Sequence, residues 1–186
     1  MQAGALRTLR PIDYPFPIDT SHRVRQPDSH IHPVSFLTST VDLVSSSTLE
    51  SLPPWAHLLL EEERVGHLGL IDSSSRPRVL PVTYAIQGAA AWTAVDNKPK
   101  RPGRELARVR WLRERPTAAL TVDRYHDDWS RLRWVQLIGT VTVLDGPPQG
   151  PVLDALIQRY PQYRSDPPPG PLLRLVTTRA VCWRAG

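Results

Sequence analysis

The densest group of side chains that could hold a ligand lies in one short turn, Lys98-Pro-Lys100-Arg101-Pro-Gly-Arg104. The turn joins a predicted strand, Ala89–Val95, to a predicted helix, Arg104–Arg115. A helix N-terminus presents unpaired N–H groups and partial positive charge, so it attracts anions. Lysine acts on phosphate as a point charge and arginine grips it bidentately. The turn therefore favours a phosphate or carboxylate site, although a solvent-exposed basic loop without a ligand explains these residues equally well.

Two residues on neighbouring predicted strands strengthen the ligand interpretation. Arg78 could reach the same end of a sheet, and Thr93, two positions before the turn begins, offers a hydroxyl. Basic residues at a helix start disfavour the isolated helix by up to ~1 kcal/mol each. A bound anion would offset that cost.

A second cluster combines acidic, aromatic and basic side chains: Asp127, Asp128, Trp129, Arg131, Arg133 and Trp134. In one interpretation the tryptophans stack near a ligand or shape a subunit interface, while Arg131 or Arg133 reaches a ligand held by a partner subunit. In the other, Trp134 is a core residue and the charged side chains form surface ion pairs worth little. For Trp134 the pattern favours the core; for Trp129 it favours neither.

The remaining reactive residue types predict no further catalytic centre. His126 has no second histidine at metal-ligand spacing, so it is expected in a solvated loop, and His67 is expected to be packed or to line a barrel. Cys182, the only cysteine, is expected to be buried. No Ser-His-Asp, Cys-His or paired-carboxylate arrangement supports a hydrolase. Tyr84 is the only candidate proton donor, and the catalytic residues stay unassigned.

The composition predicts a cytoplasmic protein with an anionic partner. The formal charge is +5 over 186 residues, which fits nucleic acid, a phosphate-bearing cofactor or an anionic membrane. A single cysteine excludes a disulfide within the chain. Apolar runs of about eight to ten residues are too short to span a bilayer, and no signal-peptide pattern is present. We therefore expect no membrane partner.

The hydrophobic pattern predicts a mainly β fold. Strands are expected at Val65–Asp72, Pro77–Ile86, Ala89–Val95, Thr117–Tyr125, Arg131–Leu144 and Leu172–Trp183, with helices after Pro53, from Arg104 and from Val152. Hairpin connections dominate, which indicates an antiparallel barrel or sheet with helices to one side. Pro81 indicates an edge, a bulge or a ligand-facing position, and Gly139 is a bulge candidate. Residues 1–50, rich in proline, serine and threonine, are expected to be a disordered extension, and residues 51–186 the folded domain.

The chain from about residue 65 to 183 resembles the pyridoxamine 5'-phosphate oxidase-like split β-barrel family. More narrowly, it resembles the actinobacterial branch of deazaflavin (coenzyme F420)-dependent oxidoreductases. The resemblance rests on VGHLGLID, SRPRVLPVTYAI, WTAVDNKPKR with ELARVRWL, ALTVDRYHDDWSRLRWVQLIGTVTVL and RYPQYRSDPPPGP. It implies a homodimer of six-stranded split barrels that binds its cofactor in a cleft at the dimer interface.

The resemblance also implies a set of cofactor-binding residues. They are Arg78, Val79 and Pro81 on the second strand, Thr93, Ala94 and Val95 on the third, and Lys98, Lys100 and Arg101 around the phosphate. Pro81 replaces the lysine of true pyridoxamine phosphate oxidases, and the basic turn replaces their Ser-Arg-Lys phosphate signature. Both departures count against FMN and favour the longer, polyanionic tail of F420.

Three functions stay open on the sequence. The first is an F420-dependent oxidoreductase that transfers hydride to a small organic acceptor, and the second is an FMN-dependent oxidase of the same fold. The third is a non-enzymatic protein that binds a cofactor, haem or nucleic acid. Nucleic acid is the least favoured partner because the arginine-rich helix needs Leu106, Val109 and Leu112 for burial.

Overall fold

A computed structural model describes residues 42–46, 48–97 and 105–185. In chain order these residues form β1 (Asp42–Ser46), α1 (Pro54–Glu62), β2 (Gly66–Ile71), β3 (Pro77–Val82), β4 (Ala85–Gln87), β5 (Ala90–Ala94), α2 (Ala107–Glu114), β6 (Thr117–Arg124), β7 (Arg133–Leu144), α3 (Gly150–Arg159) and β8 (Leu172–Arg184). Two short 3-10 helices, Trp129–Arg131 and Pro161–Arg164, follow β6 and α3. No helix in the described ranges is both long and apolar enough to cross a membrane.

The strands form one antiparallel sheet in the order β3-β2-β6-β7-β8-β5-β4. The two ends of this order, β3 and β4, are consecutive in the chain and are separated only by Thr83 and Tyr84. The sheet must therefore curl until its ends meet, and it encloses a core of residues from all its long strands. The mainly β, antiparallel barrel expected from the sequence is confirmed.

The number of strands is eight rather than the six expected, for two reasons. The predicted strand 77–86 is divided into β3 and β4 because the chain turns the corner of the barrel at Thr83 and Tyr84. The second reason is β1, which pairs with the Ala180–Arg184 part of β8. The expected edge position of Pro81 is confirmed, since β3 pairs only with β2 among the described strands.

The folded domain begins before residue 51, where the sequence placed its boundary. Residues 42–46 form β1, and Leu49 is buried in the main core together with Leu52. The segment 42–46 is too short to show a hydrophobic period by itself, and the strand with which it pairs lies near the other end of the chain. Residues 1–41 and 47 lie outside the described residues, so the disorder expected for them stays a prediction.

The helices α1 and α2 pack at opposite ends of the barrel. Ala56, Leu59 and Leu60 of α1 are fully buried in the main core, at the end where β6 finishes with Arg124. Val109 and Leu112 of α2 are buried at the end where β6 begins. The third helix, α3, packs against β4 and forms a smaller cluster outside the barrel.

The β7–β8 pairing contains the bulge expected at Gly139. The register shifts by one residue between Ile138 and Gly139. A Cβ atom at Gly139 would lie 1.9 Å from the carbonyl oxygen of Val176, a backbone atom that cannot rotate away. Only glycine, which has no Cβ atom, fits this close contact between β7 and β8.

We therefore expect Gly139→Ala to lower the free energy of unfolding by at least ~2 kcal/mol, because the two strands must separate locally. Urea denaturation measures the change. Gly69→Ala is the matched control, since a Cβ there would lie 3.6 Å from the nearest atom, an ordinary contact. Equal stability of the two variants would contradict the account of the bulge.

Candidate functional site

The exposed edge strand β3 carries three of the predicted site residues, but on two faces. Val79 is 66% exposed and, with Pro81, points to the outside of the barrel. Arg78 directly precedes Val79, so its side chain points to the other face of the strand. It pairs with Leu70 of β2. The three residues therefore do not converge on one point: Val79 and Pro81 belong to the outer face, and Arg78 to the rim beside α2.

Arg78 lies beside two unpaired buried donors of α2. Its guanidinium carbon is 5.4 Å from the ring centre of Trp111. The Nε1 of Trp111 and the Nε of Arg108, one helical turn earlier, are buried with no hydrogen-bond partner among the described residues. Burial lowers the pKa of the Arg108 guanidinium, and the Asp96 carboxylate opposes that shift.

Unpaired buried donors are rare in folded proteins, because each costs about 1–3 kcal/mol relative to a satisfied one. Two such donors lie close to the exposed guanidinium of Arg78. We refer to Arg78, Arg108 and Trp111 as the α2 rim. Its donors fit phosphate or carboxylate oxygens.

The predicted residues on β5 are buried in the single chain. Thr93 is buried and lines a void of about 10 Å³ in the barrel interior. Ala94 packs in the cluster around α3. The backbone of Val95 is bonded to the Gly170–Pro171 segment, with N–H to Pro171 O at 3.0 Å and O from Gly170 N at 3.3 Å. Because the interior is filled, a cofactor has to bind outside the barrel.

The basic turn itself, with Lys98, Lys100 and Arg101, lies outside the described residues, so its role stays a prediction. The residues that flank the turn on each side are described. Asn97 donates a hydrogen bond to Asp166 at 2.5 Å, and Glu105 pairs with Arg113 at 3.2 Å. The helix begins at Ala107, three residues later than expected, so the turn is further from the helix N-terminus than the sequence indicated.

The outer face of the sheet collects residues that the sequence placed elsewhere. Trp134 lies on this face between Asp123 and Trp183 and is not a core residue, because alternate residues of β7 point outward. His67 also points outward, half-exposed, with its Nδ1 3.7 Å from Asp123, and does not line the barrel. The preferred interpretations of both residues were wrong, since sequence period alone does not say which face of a strand is covered.

Cross-strand register arranges the outer face in rows with few charges. The rows are Val79, Gly69, Ala119, Ile138 and Arg179; then Pro81, His67, Thr121, Gln136 and Val181; then Asp123, Trp134, Trp183 and Leu43. The charged residues of these rows are Asp123, which lies 3.7 Å from His67 Nδ1, and Arg179 at the end of the first row. A broad, nearly uncharged surface of this kind is typical of an interface.

The loop residues behave mainly as expected. His126 is in the loop after β6 and accepts a hydrogen bond at Nδ1 from the Asp128 N–H, 2.9 Å away. Asp128 in turn accepts from the Ser130 N–H, which begins the 3-10 helix. Trp129 is 71% exposed, so it is available to a ligand or a partner. Cys182 is fully buried, as predicted.

Comparisons with solved structures agree on the architecture. An FAD-binding protein from Mesorhizobium loti matches with a TM-score of 0.53 and 18% identity, over 78% of this chain and 98% of that one. A conserved hypothetical protein from Mycobacterium tuberculosis matches with a TM-score of 0.53 and 18% identity, over 72% and 86%. A heme-binding protein from Mycobacterium smegmatis matches with a TM-score of 0.52 and 18% identity, over 69% and 53%.

The chain has the split β-barrel fold. No protein-family model matches the sequence, and no curated protein matches it. Identities of this size establish the fold and no more.

Arg108 and Trp111 of this split barrel were not singled out as ligand donors from the sequence, which assigned Leu106, Val109 and Leu112 of the predicted helix to burial. The available signal was their spacing of three residues, which places an indole N–H and a guanidinium side by side on one helix face. Only the structure shows that both donors are buried with no hydrogen-bond partner among the described residues.

Tyr84 closes the split barrel and is not exposed for catalysis. Its hydroxyl lies 2.7 Å from the Leu60 carbonyl and 2.9 Å from the Glu63 carbonyl, at the end of α1. The Tyr160 hydroxyl accepts from the Tyr84 N–H at 2.8 Å and donates to the Tyr84 carbonyl at 2.9 Å. Burial raises the pKa of the Tyr84 hydroxyl, and Arg159 partly opposes the shift. The proton-donor role expected for Tyr84 is therefore replaced by a structural one.

Tyr84→Phe is expected to lower the free energy of unfolding by about 1–3 kcal/mol, because it removes the hydroxyl that donates to the buried Leu60 carbonyl, while the Glu63 carbonyl keeps Arg159 as a donor. The folded-state pKa lies above the unfolded value of about 10, so this contribution is complete below pH ~10 and declines as pH rises towards the folded-state pKa. Urea denaturation from pH 7 to 11 measures the difference between the two proteins. The control Tyr125→Phe, at an exposed tyrosine, should change nothing; an equal loss in both variants would contradict this role.

Proposed function

We propose that this protein is an oxidoreductase that binds the deazaflavin coenzyme F420 at the α2 rim and transfers hydride to a small organic acceptor. The single observation that carries the proposal is the pair of unpaired buried donors, Arg108 Nε and Trp111 Nε1, beside the exposed Arg78. The basic turn begins at the end of β5 and leads into the helix that carries both donors. These groups would hold the anionic tail of the cofactor.

The filled barrel interior determines which part of the proposed reaction the cofactor supplies and which part the chain supplies. The bound deazaflavin would supply the hydride chemistry, and the chain would bind, orient and shield it. Val79 and Pro81 on the outer face offer an apolar surface for a flat ring, and neither adds a charge. The cations of the α2 rim and of the basic turn would hold the phosphate and carboxylates.

The excess of cations favours F420 over FMN. A single phosphate is satisfied by two or three cationic groups, whereas Lys98, Lys100 and Arg101 add to the donors of the α2 rim. The polyanionic tail of F420 offers more negative groups to match them. An FMN-dependent oxidase of the same fold is the alternative that a single phosphate would support.

A homodimer completes the proposed site. Val79 and Pro81 lie on the outer face, and a ring bound there would be exposed to water on its other side. A second copy that packs on the nearly uncharged rows would cover it. We therefore propose that the outer face is the dimer interface.

Haem binding is a second candidate, favoured by one residue. His67 is the only histidine on the outer face among the described residues, and its half-exposed imidazole lies between Pro81 and Thr121. An exposed imidazole is a suitable axial ligand for haem iron. A haem complex would be red and would lose its absorption band in the His67→Ala variant.

The cofactor proposal predicts that purified protein binds F420 and that Lys100→Ala or Arg108→Gln weakens the binding by about 10- to 100-fold, since each removes a charge-assisted hydrogen bond. Quenching of F420 fluorescence measures the dissociation constant. Arg110→Gln, on the opposite side of α2, is the matched control and should bind as the wild type does.

Other outcomes of this titration decide against the proposal. A yellow FMN complex as isolated would replace F420 by FMN, and a red complex would favour the haem carrier. Equal weakening by Arg110→Gln and Arg108→Gln would mean that only the overall charge of the helix matters.

The dimer proposal predicts that Ile138→Asp converts a dimer into a monomer, because it places two charges at the centre of the interface. Light scattering coupled to gel filtration measures the mass. Leu58→Asp, at an apolar side chain of α1 that is 53% exposed, adds the same charge away from the outer face and should leave a dimer. A wild-type monomer at micromolar concentration would overturn the proposal.

A further inference from the structure

Three arginines from three neighbouring strands lie in one row at the α1 end of the barrel. Arg124 of β6 is opposite Arg133 of β7, and Arg133 is opposite Arg184 of β8. We refer to these residues as the arginine row. Like charges directly opposite each other on adjacent strands destabilise a sheet, so a row of three needs compensation.

Compensation is present on both sides of the row but not at its centre. Arg124 is paired with Glu63 at 2.5 Å and Glu62 at 2.8 Å, and the Glu63 hydrogen bond raises its pKa. The Arg184 guanidinium stacks over Trp55 at 5.5 Å. The Nε of Arg133, in contrast, is buried with no hydrogen-bond partner among the described residues.

A built cavity opens at this position. Its volume is about 410 Å³, and it is lined by Ser130, Arg131, Leu132, Arg133, Arg184 and Ala185. Backbone hydrogen bonds hold its walls: the Ala185 N–H donates to Leu132 O at 2.9 Å, and the Leu132 N–H to Trp129 O at 3.2 Å. Of the described residues that line it, three are arginines and none is acidic.

Two acidic residues lie near the cavity. Hydrogen bonds from Ser130 lower the pKa of the Asp128 carboxyl, and the nearby Arg131 guanidinium lowers it further. Asp128 accepts from both the N–H and the hydroxyl of Ser130, at 3.1 and 2.7 Å, and so fixes the 3-10 turn. Asp42 is opposite Arg184 in the β1–β8 register, on the far side of the row from Arg133. Arg133, at the centre of the row, is therefore the arginine for which the described residues provide no acidic partner.

We propose that this cavity is a second anion site, which binds the phosphate group of a small molecule through the Arg133 and Arg131 guanidinium groups with Arg184 at its wall. A dianionic phosphate presents enough oxygens to accept from several arginine forks at once. The site is separate from the α2 rim, because the two lie at opposite ends of β6, about 20 Å apart at ~3.3 Å per residue. It does not depend on the proposed cofactor function.

The test is the thermal stability of the full-length protein without cofactor, in phosphate and in chloride of equal ionic strength. We expect 10 mM inorganic phosphate to raise Tm by about 3–6 °C if the dissociation constant is near a tenth of that concentration. Arg133→Met should abolish the rise. In chloride, the same variant should melt at or above the wild-type temperature, because it removes an unpaired charge; a merely structural arginine would lower it.

Two control variants assign the response to this cavity. Arg164→Met, at an exposed arginine in the second 3-10 helix, makes the same charge change and should keep the rise in Tm. The double variant Lys98→Ala/Lys100→Ala should keep it too, because phosphate captured by the basic turn would depend on those lysines. The same measurement with glycerol 3-phosphate in place of phosphate distinguishes the two sources of the group. A larger rise in Tm with glycerol 3-phosphate than with phosphate indicates that the ligand is a phosphate ester rather than free phosphate.

The proposal is overturned if wild-type protein shows no phosphate-specific rise, if the lysine variant loses it, or if Arg133→Met keeps it. It is also overturned if Arg133→Met weakens F420 binding as strongly as Lys100→Ala, because the arginines would then belong to a partner's cofactor site. If the Arg133→Met variant does not fold, the Arg133→Lys variant is tested instead. A smaller phosphate-induced rise in Tm than in the wild type supports the site, and an unchanged rise overturns it.

Discussion

The closure of the sheet at Tyr84 is the constraint on which the rest of the structure depends. Its two edges, β3 and β4, are joined by two residues, so the sheet cannot stay open. The Tyr84 hydroxyl bonds to the end of α1, and its backbone bonds to Tyr160 after α3. One buried residue thereby ties the corner of the barrel to α1 through its side chain and to Tyr160, after α3, through its backbone.

A filled interior leaves the surface as the place for chemistry, and the surface is divided by the strands themselves. Strand ends form the two rims, where long cationic side chains can extend past the barrel. Strand centres form the outer face, where alternate side chains are small, apolar or neutral. The same sheet therefore offers two basic rims and one nearly uncharged face, which suit anions and a second copy, respectively.

Unpaired buried donors mark both rims. At the α2 end they are Arg108 and Trp111, and at the α1 end Arg133; Arg159 Nε and Thr177 Oγ1 are also buried with no partner in the described part of the chain. A donor that loses its hydration without gaining a hydrogen-bond partner is costly. We propose that at the two rims the acceptors arrive with a ligand. The two proposed sites share this physical basis and differ in which end of the barrel they occupy.

The sequence by itself determined the strands, the helices, the Gly139 bulge and the concentration of cations, because these depend on local period, turn chemistry and residue type. It could not determine that Trp134 and His67 face outward, or that residues 42–46 form a strand. Nor could it bring Arg124, Arg133 and Arg184 into one row, since cross-strand register is set by pairing between distant segments. Which donors are left without partners is a property of packing, and only the tertiary structure decided it.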